Sequence, residues 1–223
     1  MMFSIPKYIT HWKLINKFNL RTLSNSFKGC WKCNHSETSN NFFCASCGVI
    51  RDIPANEDFF DLLNQRKQFK IDLPKLTQHF HLAQNAVHPD KFSQTSDKEK
   101  DLASKWSSLI NKAFKTLSKT TDRGKYLLKL NGIVISEDNS TIDQAFLLKM
   151  IEVNESVDEA ETTNELETIR NNVAQDIDEL TEALETFFDV KDMEAAKQAI
   201  IRLKYLQNIV ETIKEKKLRF SLT

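Results

Sequence analysis

Four cysteines and one tripeptide are the residues of this chain whose types and spacing can do chemistry. Cys30 and Cys33 form one C-x-x-C pair, Cys44 and Cys47 form a second, and Gly48 follows directly. Each such turn brings two thiolates to one metal ion, and two turns complete a tetrahedral four-cysteine site. Gly48 permits a backbone turn that brings N–H groups near the sulfurs. Trp31, Phe42 and Phe43 offer a small apolar cap over a segment too short to bury a core of its own, and structural zinc would contribute the missing folding energy. The competing readings are two disulfides, a dithiol redox pair, or an iron–sulfur cluster on the same thiolates. A reducing compartment disfavours disulfides, and no thioredoxin-like βαβ pattern accompanies the pairs. His35 is a spare ligand that four cysteines make unnecessary. Four-cysteine zinc modules also occur in nucleic-acid binders, but no basic–aromatic stripe runs beside this one.

The tripeptide is His88-Pro89-Asp90, followed by Lys91. Its bland reading is a turn in which proline sets φ and aspartate caps the next helix. The elements around it say more. Leu73, Leu76, Phe80, Ala83 and Val87 recur at steps of three and four, one face of an amphipathic helix that Asp72 can cap and Pro74 can enter in its first turn. That helix must stop near His88, because a residue before proline is pushed out of the α region. Leu102, Trp106, Leu109, Ala113 and Leu117 resume the period, widened by Ile110 and Phe114. Two helices with matching apolar faces pack as an antiparallel hairpin, with His88-Pro89-Asp90 at its exposed tip.

The rest of the chain is arranged around that hairpin. Phe59, Phe60, Leu62 and Leu63 read as a short preceding helix after a linker over Pro54 to Glu57. Arg123 to Asn131 reads as a following helix that Gly132 ends. No glycine or proline occurs beyond Gly132, so long helices are expected there. Three stripes follow: Phe146, Leu147, Met150, Ile151 and Val153, which Ser140-x-x-Asp143 can cap; then Leu166, Ile169, Val173, Ile177, Leu180, Leu184 and Phe187; then Met193, Ala196, Ile200, Leu203, Leu206 or Gln207, Val210 and Ile213. They predict a three-helix bundle. The expected fold is all-α: a small four-cysteine segment over 27–54, a helical hairpin domain over 56–132 and the bundle over 140–218.

Charge is segregated although the net charge is zero. Residues 1–36 carry six Lys/Arg and no acid, residues 61–130 carry fourteen basic and seven acidic side chains, and residues 131–196 carry three basic and eighteen acidic. Different partners for the two helical regions follow from that contrast. The basic, hydroxylated, amphipathic start has the composition of a mitochondrial transit peptide over residues 1–26, cleaved near Arg21 to Ser26; a basic tail is the alternative. No apolar run reaches the roughly 20 residues that span a bilayer. No Gly-x-Gly or Walker-type loop, nucleophile–base pair or open metal site occurs, so the chain is expected to be neither an enzyme nor a nucleotide, membrane or nucleic-acid binder.

The His88-Pro89-Asp90 hairpin resembles the J-domain family. With the cysteine pairs, the Tyr126-Leu127-Leu128-x-Leu130-x-Gly132 helix and an acidic bundle carrying Ala145-Phe146-Leu147-Leu148, Ile151-Glu152-Val153-Asn154-Glu155 and Arg202-Leu203-Lys204-Tyr205-Leu206, residues 29–215 resemble the J-type co-chaperones of iron–sulfur cluster assembly, the HscB/Jac family. The cysteine pairs resemble its animal-type branch; fungal and bacterial members generally lack them. The resemblance implies a mitochondrial-matrix protein whose His88, Pro89, Asp90 and Lys91 engage a heat-shock chaperone of the DnaK class and trigger its ATP hydrolysis. It implies that Leu147, Leu148, Ile151, Glu152, Glu155 and Tyr205 dock the IscU-type cluster scaffold, with recipient apoproteins as further partners and zinc on Cys30, Cys33, Cys44 and Cys47. His79 and Asn85 stand where the family commonly has arginine, so the electrostatic share falls on Lys75, Lys91, Lys98 and Lys105. A general J-protein acting on unfolded clients is the alternative from the same fold.

Overall fold

The computed structural model describes residues 29–36, 41–135 and 142–221. The predicted transit segment lies outside the described residues. The helices are α1 (Phe59–Leu62), α2 (Leu73–Val87), α3 (Asp97–Ser118), α4 (Thr120–Leu130), α5 (Gln144–Glu159), α6 (Thr163–Asp189) and α7 (Met193–Phe220), with a short 3-10 turn over Pro89–Phe92. The only strand-like pairing among the described residues is an isolated antiparallel bridge between Phe43 and Ile50.

Local sequence explains where the helices begin and end. The Asp72 carboxylate accepts the N–H of Lys75 to start α2, and the helix stops at Val87, one residue before the His88–Pro89 bond. Ser96 and Glu99 form a reciprocal capping box on α3, and Thr162 and Glu165 do the same on α6. Gly132, at φ +78°, closes α4: its N–H bonds the carbonyl of Lys129, and Ile133 bonds that of Leu128. Asp143 alone caps α5, through the N–H of Ala145; Ser140 lies outside the described residues.

Helices α2 and α3 run antiparallel, since Phe80 stacks on Phe114 while Gln84 bonds Ser107. In the bundle, α5 runs parallel to α7 and opposite to α6: Phe146 meets Tyr205, Lys216 reaches the carbonyl of Val157, and Lys149 pairs with Asp176. Among the described residues two large apolar cores result, beside a small cluster of Cys30, Cys44 and Val49. The main one runs from Phe42 and Ile50 through the hairpin and α4 to Leu184, Ala196, Ala199, Ile200 and Leu203. The second joins Met150, Val157 and Ala160 to Leu166, Val173, Leu206, Ile209 and Ile213.

The N-terminal half of α7 therefore belongs to the hairpin's core as well as to the bundle. Gly124 makes this approach close: a Cβ there would lie 2.8 Å from the Ile200 Cδ1. Around it, Phe69 stacks on Phe188 at 5.2 Å, and Thr121 donates to Gln207 at 2.8 Å. The buried Arg123 donates to the carbonyls of Phe69 and Leu117, both at 2.7 Å. Burial lowers the basicity of that guanidinium, and carbonyl dipoles take the place of a carboxylate.

Candidate functional site

The cysteine pairs fold as two matching knuckles. Asn34 donates its N–H to the Cys30 carbonyl at 2.8 Å and Gly48 donates to the Cys44 carbonyl at 2.8 Å; both residues take left-handed backbone, at φ +57° and +69°. Asparagine and glycine tolerate that region best. Cys30 N–H then bonds the carbonyl of His35, and Cys44 N–H that of Val49. His35 thus serves through its backbone, and its ring is not among the clustered ligands.

All four sulfurs lie within 4.8 Å of one another. Cys30 and Cys47 are 3.7 Å apart, as are Cys33 and Cys44, and all are free thiols. Thiolates about 2.3 Å from a tetrahedral centre are about 3.8 Å apart, whereas a disulfide requires about 2.05 Å. Thiols packed this closely resist ionising together. Burial and the neighbouring sulfurs push Cys47 up to about 12, and burial raises Cys44. Burial also opposes ionisation of Cys30, yet the N–H groups of Cys33 and Lys32 outweigh it and bring that thiol down to about 7. A metal dication would override these differences, because it favours the thiolate at every position. The donor set fits a metal ion.

Trp31 packs against the cluster of Cys30, Cys44 and Val49 as a cap, whereas Phe42 and Phe43 turn toward the helices. Phe42 enters the main core and meets Trp106 edge-on at 5.1 Å; Phe43 stacks on Phe92 at 6.4 Å. Trp31 and Trp106 donate their indole N–H groups to the carbonyls of Ile50 and Arg51, each at 2.8 Å. Lys98, expected among the steering charges, instead lies 4.2 Å over the Trp31 ring and 3.7 Å from Asp52.

At the hairpin tip, His88, Pro89, Asp90 and Lys91 are exposed, with the Asp90 side chain 90% and the His88 side chain 52% exposed. Asp90 caps no helix, since Ser96 does that for α3. The His88 Nδ1 lies 3.6 Å from the Asp90 carboxylate. Lys91 folds back on the end of α2, donating to the carbonyl of Asn85 at 2.6 Å and to its Oδ1 at 2.8 Å. His79, the other departure from arginine, bonds Gln65 and the carbonyl of Leu63. Lys105 pairs with Asp101.

On α5, Met150 and Val157 are buried and Phe146 and Val153 half-buried, so Leu148 and Ile151 face outward at 53% and 54% exposure, beside exposed Glu152 and Glu155. Leu147 is half-buried, as is Tyr205, whose ring meets Phe146. The expected six-residue face is thus an exposed pair of aliphatics and acids with two half-buried members at its edge.

Residues 142–214 match the family model described as the HSCB C-terminal oligomerisation domain. Human iron–sulfur cluster co-chaperone protein HscB is 36% identical over 87% of this chain and 84% of its own length; the Mus musculus protein is 36% identical over 83% and 81%. The chain belongs to the HscB family of co-chaperones. The crystal structure of human HscB superposes with a TM-score of 0.83 at 36% identity, covering 86% of this chain and 99% of the human one. An HscB from Vibrio cholerae shares the fold at a TM-score of 0.68 and 24% identity over 73% of this chain. This HscB-family chain is accordingly an iron–sulfur cluster co-chaperone of the animal type, all-α, with a cysteine cluster able to hold a metal ion. The sequence pattern assigned no role to two further residues of interest. Phe92, just past the tripeptide, is the buried anchor of its turn. Arg202 lies 5.3 Å over the Phe146 ring and 3.9 Å from Asp143, at the edge of the α5 face.

Proposed function

We propose that this chain delivers an IscU-type iron–sulfur scaffold protein to a mitochondrial heat-shock chaperone of the DnaK class and stimulates the chaperone's ATPase, without catalysing a reaction itself. His88, Pro89 and Asp90, with Lys91 at their flank, trigger the chaperone. Leu148 and Ile151, rimmed by Glu152 and Glu155 and bordered by Leu147 and Tyr205, hold the scaffold. Zinc on Cys30, Cys33, Cys44 and Cys47 is structural, because four thiolates close its coordination shell and leave no position for substrate. Residues 1–26 direct the chain to the matrix, residues 27–54, 56–132 and 140–218 are its working units, and recipient apoproteins take the cluster downstream.

The observation that carries this reading is the exposure of Asp90 on a turn tied down at both sides. Val87 is buried before it, Phe92 is buried after it, and Lys91 is bonded to Asn85. Such a carboxylate can meet a basic partner group without first being ordered, which lowers the cost of binding. The exposed aliphatic pair on α5, edged by acids, has the make-up of a docking surface.

The test is steady-state ATP hydrolysis by the mitochondrial chaperone with this protein, with scaffold, and with both, repeated for Asp90→Asn. Synergy between protein and scaffold that disappears in Asp90→Asn is the expected result. Stimulation indifferent to scaffold would instead assign a general J-protein, and stimulation that survives the substitution would remove the tripeptide from the mechanism.

A further inference from the structure

The connection between α2 and α3 carries the chaperone-triggering tripeptide, and a single apolar side chain fixes it to the core. From His88 to Ser96, only Phe92 is buried. Phe92 also receives the turn's closing bonds: Thr95 donates both its N–H, at 3.0 Å, and its hydroxyl, at 2.8 Å, to the Phe92 carbonyl. Whatever holds the Phe92 ring therefore holds the backbone that presents Asp90.

Part of that hold comes from outside the hairpin. The Phe43 ring lies over Phe92 with centroids 6.4 Å apart and planes 8° from parallel, within the range of an offset stack. Phe43 immediately precedes Cys44 and is bridged to Ile50, so its backbone is part of the second cysteine knuckle. The module is fastened on the other side of the turn as well. Lys98, in the first turn of α3, is held between Trp31 and Asp52, and Trp106 is tied to the module through Arg51 and Phe42. The module thus grips the buried residue of the connection and the helix that follows it.

We propose that Phe43 is a positioning residue for the His88-Pro89-Asp90 turn, and that the four-cysteine module acts as its splint. This rests on the reading of the tripeptide as the chaperone trigger. With the knuckle closed on its metal, Phe43 has one place to sit and Phe92 is covered. With the knuckle open, Phe92 loses that cover and the turn samples other arrangements. A binding-competent population that shrinks weakens apparent affinity in proportion and leaves the maximal effect of the bound state unchanged.

The experiment compares the zinc-loaded full chain with Phe43→Ala, Phe43→Leu and Asp90→Asn. Amide hydrogen exchange at residues 91–96 is read beside zinc content, α3 protection and chaperone ATPase. In Phe43→Ala we expect bound zinc and unchanged α3 protection, exchange at the turn faster by about tenfold, and a half-maximal concentration for stimulation higher by about tenfold at the same maximal rate. Phe43→Leu restores most of both. Chelating zinc from the wild type loosens the turn similarly and adds little to Phe43→Ala. Wild-type exchange in zinc-loaded Phe43→Ala overturns the proposal, and so does faster exchange with an unchanged half-maximal concentration. If Phe43→Ala releases zinc, Lys98→Met decides: faster exchange at 91–96 supports the splint, and unchanged exchange overturns it. Failure of the underlying trigger reading has a separate signature, namely full stimulation by Asp90→Asn.

Discussion

The two large apolar cores among the described residues differ in what they leave outside. The main core holds Phe42, Phe59, Phe60, Phe69, Phe92 and Trp106 among its buried residues, and α3 alone turns six side chains inward. What it presents to solvent at the hairpin tip is small and polar. The second core has no aromatic residue among its fully buried members; Phe146, Tyr205 and Phe220 sit half-buried around it. Its α5 buries only Met150 and Val157 and keeps Leu148 and Ile151 outside. The same helical period thus serves opposite ends. A wide inward stripe makes a stiff platform for one exposed carboxylate, whereas a narrow one lets a helix stay attached while offering aliphatic surface to a partner.

The largest expected effect tests that difference directly. Leu128 and Leu166 are both fully buried, one in each core. Leucine-to-alanine changes in cores cost about 2–5 kcal/mol, less where the surroundings can collapse into the cavity. Leu128→Ala should fall near the top of that range, because its walls are held by several helices. Leu166→Ala should fall near the bottom, because lightly held α5 can settle inward. Urea unfolding of both variants checks this, and equal costs would end the distinction between the cores.

Acidity separates the regions next. Glu57, in the linker beside the main core, is pushed up to about 7 by burial and then by Asp61 and Asp58, with Arg51 opposing. Its folded value lies above the ordinary 4.5, so its contribution to stability is complete below pH 4.5 and is lost as pH rises toward 7. In the bundle, the N–H groups of Glu161 and Thr162 hold Glu165 below the usual carboxylate range, and Lys217 and Arg170 do so for Glu167. Those contributions are present above 4.5 and lost as pH falls further. Glu57→Gln should remove the decline in stability between pH 4.5 and 7 while leaving the acid limb intact. A wild-type slope in the variant would show that Glu57 titrates as an ordinary carboxylate.

Gly124 sharpens the comparison at the place where α7 crosses from one core to the other. Alanine in a helix interior gains about 1 kcal/mol over glycine. Here the new Cβ meets the Ile200 Cδ1 at 2.8 Å, and Ile200 is itself fully buried. Overpacking costs about 1–3 kcal/mol, so Gly124→Ala should lose about 1 kcal/mol net. Ile200→Val removes the clashing methyl, and the double variant should be more stable than the sum of the single effects predicts. Simple additivity in the cycle would mean that the helices move apart freely at this crossing.

Much of this was legible in the sequence where the cause is local. The cysteine knuckles depend on spacing within four residues, the hairpin tip on one proline, and the α5 face on a 3.6-residue period. Partner choice is not local. Nothing near Phe42 says that it enters the core of a hairpin instead of capping its own module, and nothing near Lys98 says that it is held by Trp31 and Asp52. Gly124 was legible only as a glycine inside a predicted helix; the close approach of Ile200 that requires it was not. Leu147 lies at the border of the buried stripe, where periodicity assigns neither face.

The smallest expected effect on stability carries the most about function. Exposed aliphatic residues contribute little to a folded chain, and surface substitutions usually stay within about 0.5 kcal/mol. Leu148→Ala combined with Ile151→Ala should therefore leave the unfolding midpoint unchanged while scaffold affinity falls at least about tenfold, the cost of an anchor pair in a docking surface. Leu147→Ala, half-buried at the edge of that face, should lower the midpoint measurably. Titration of scaffold against each variant, beside urea unfolding, separates the two roles. A double variant that loses stability would place Leu148 and Ile151 in the core after all, and one that keeps full scaffold affinity would move the docking surface off α5.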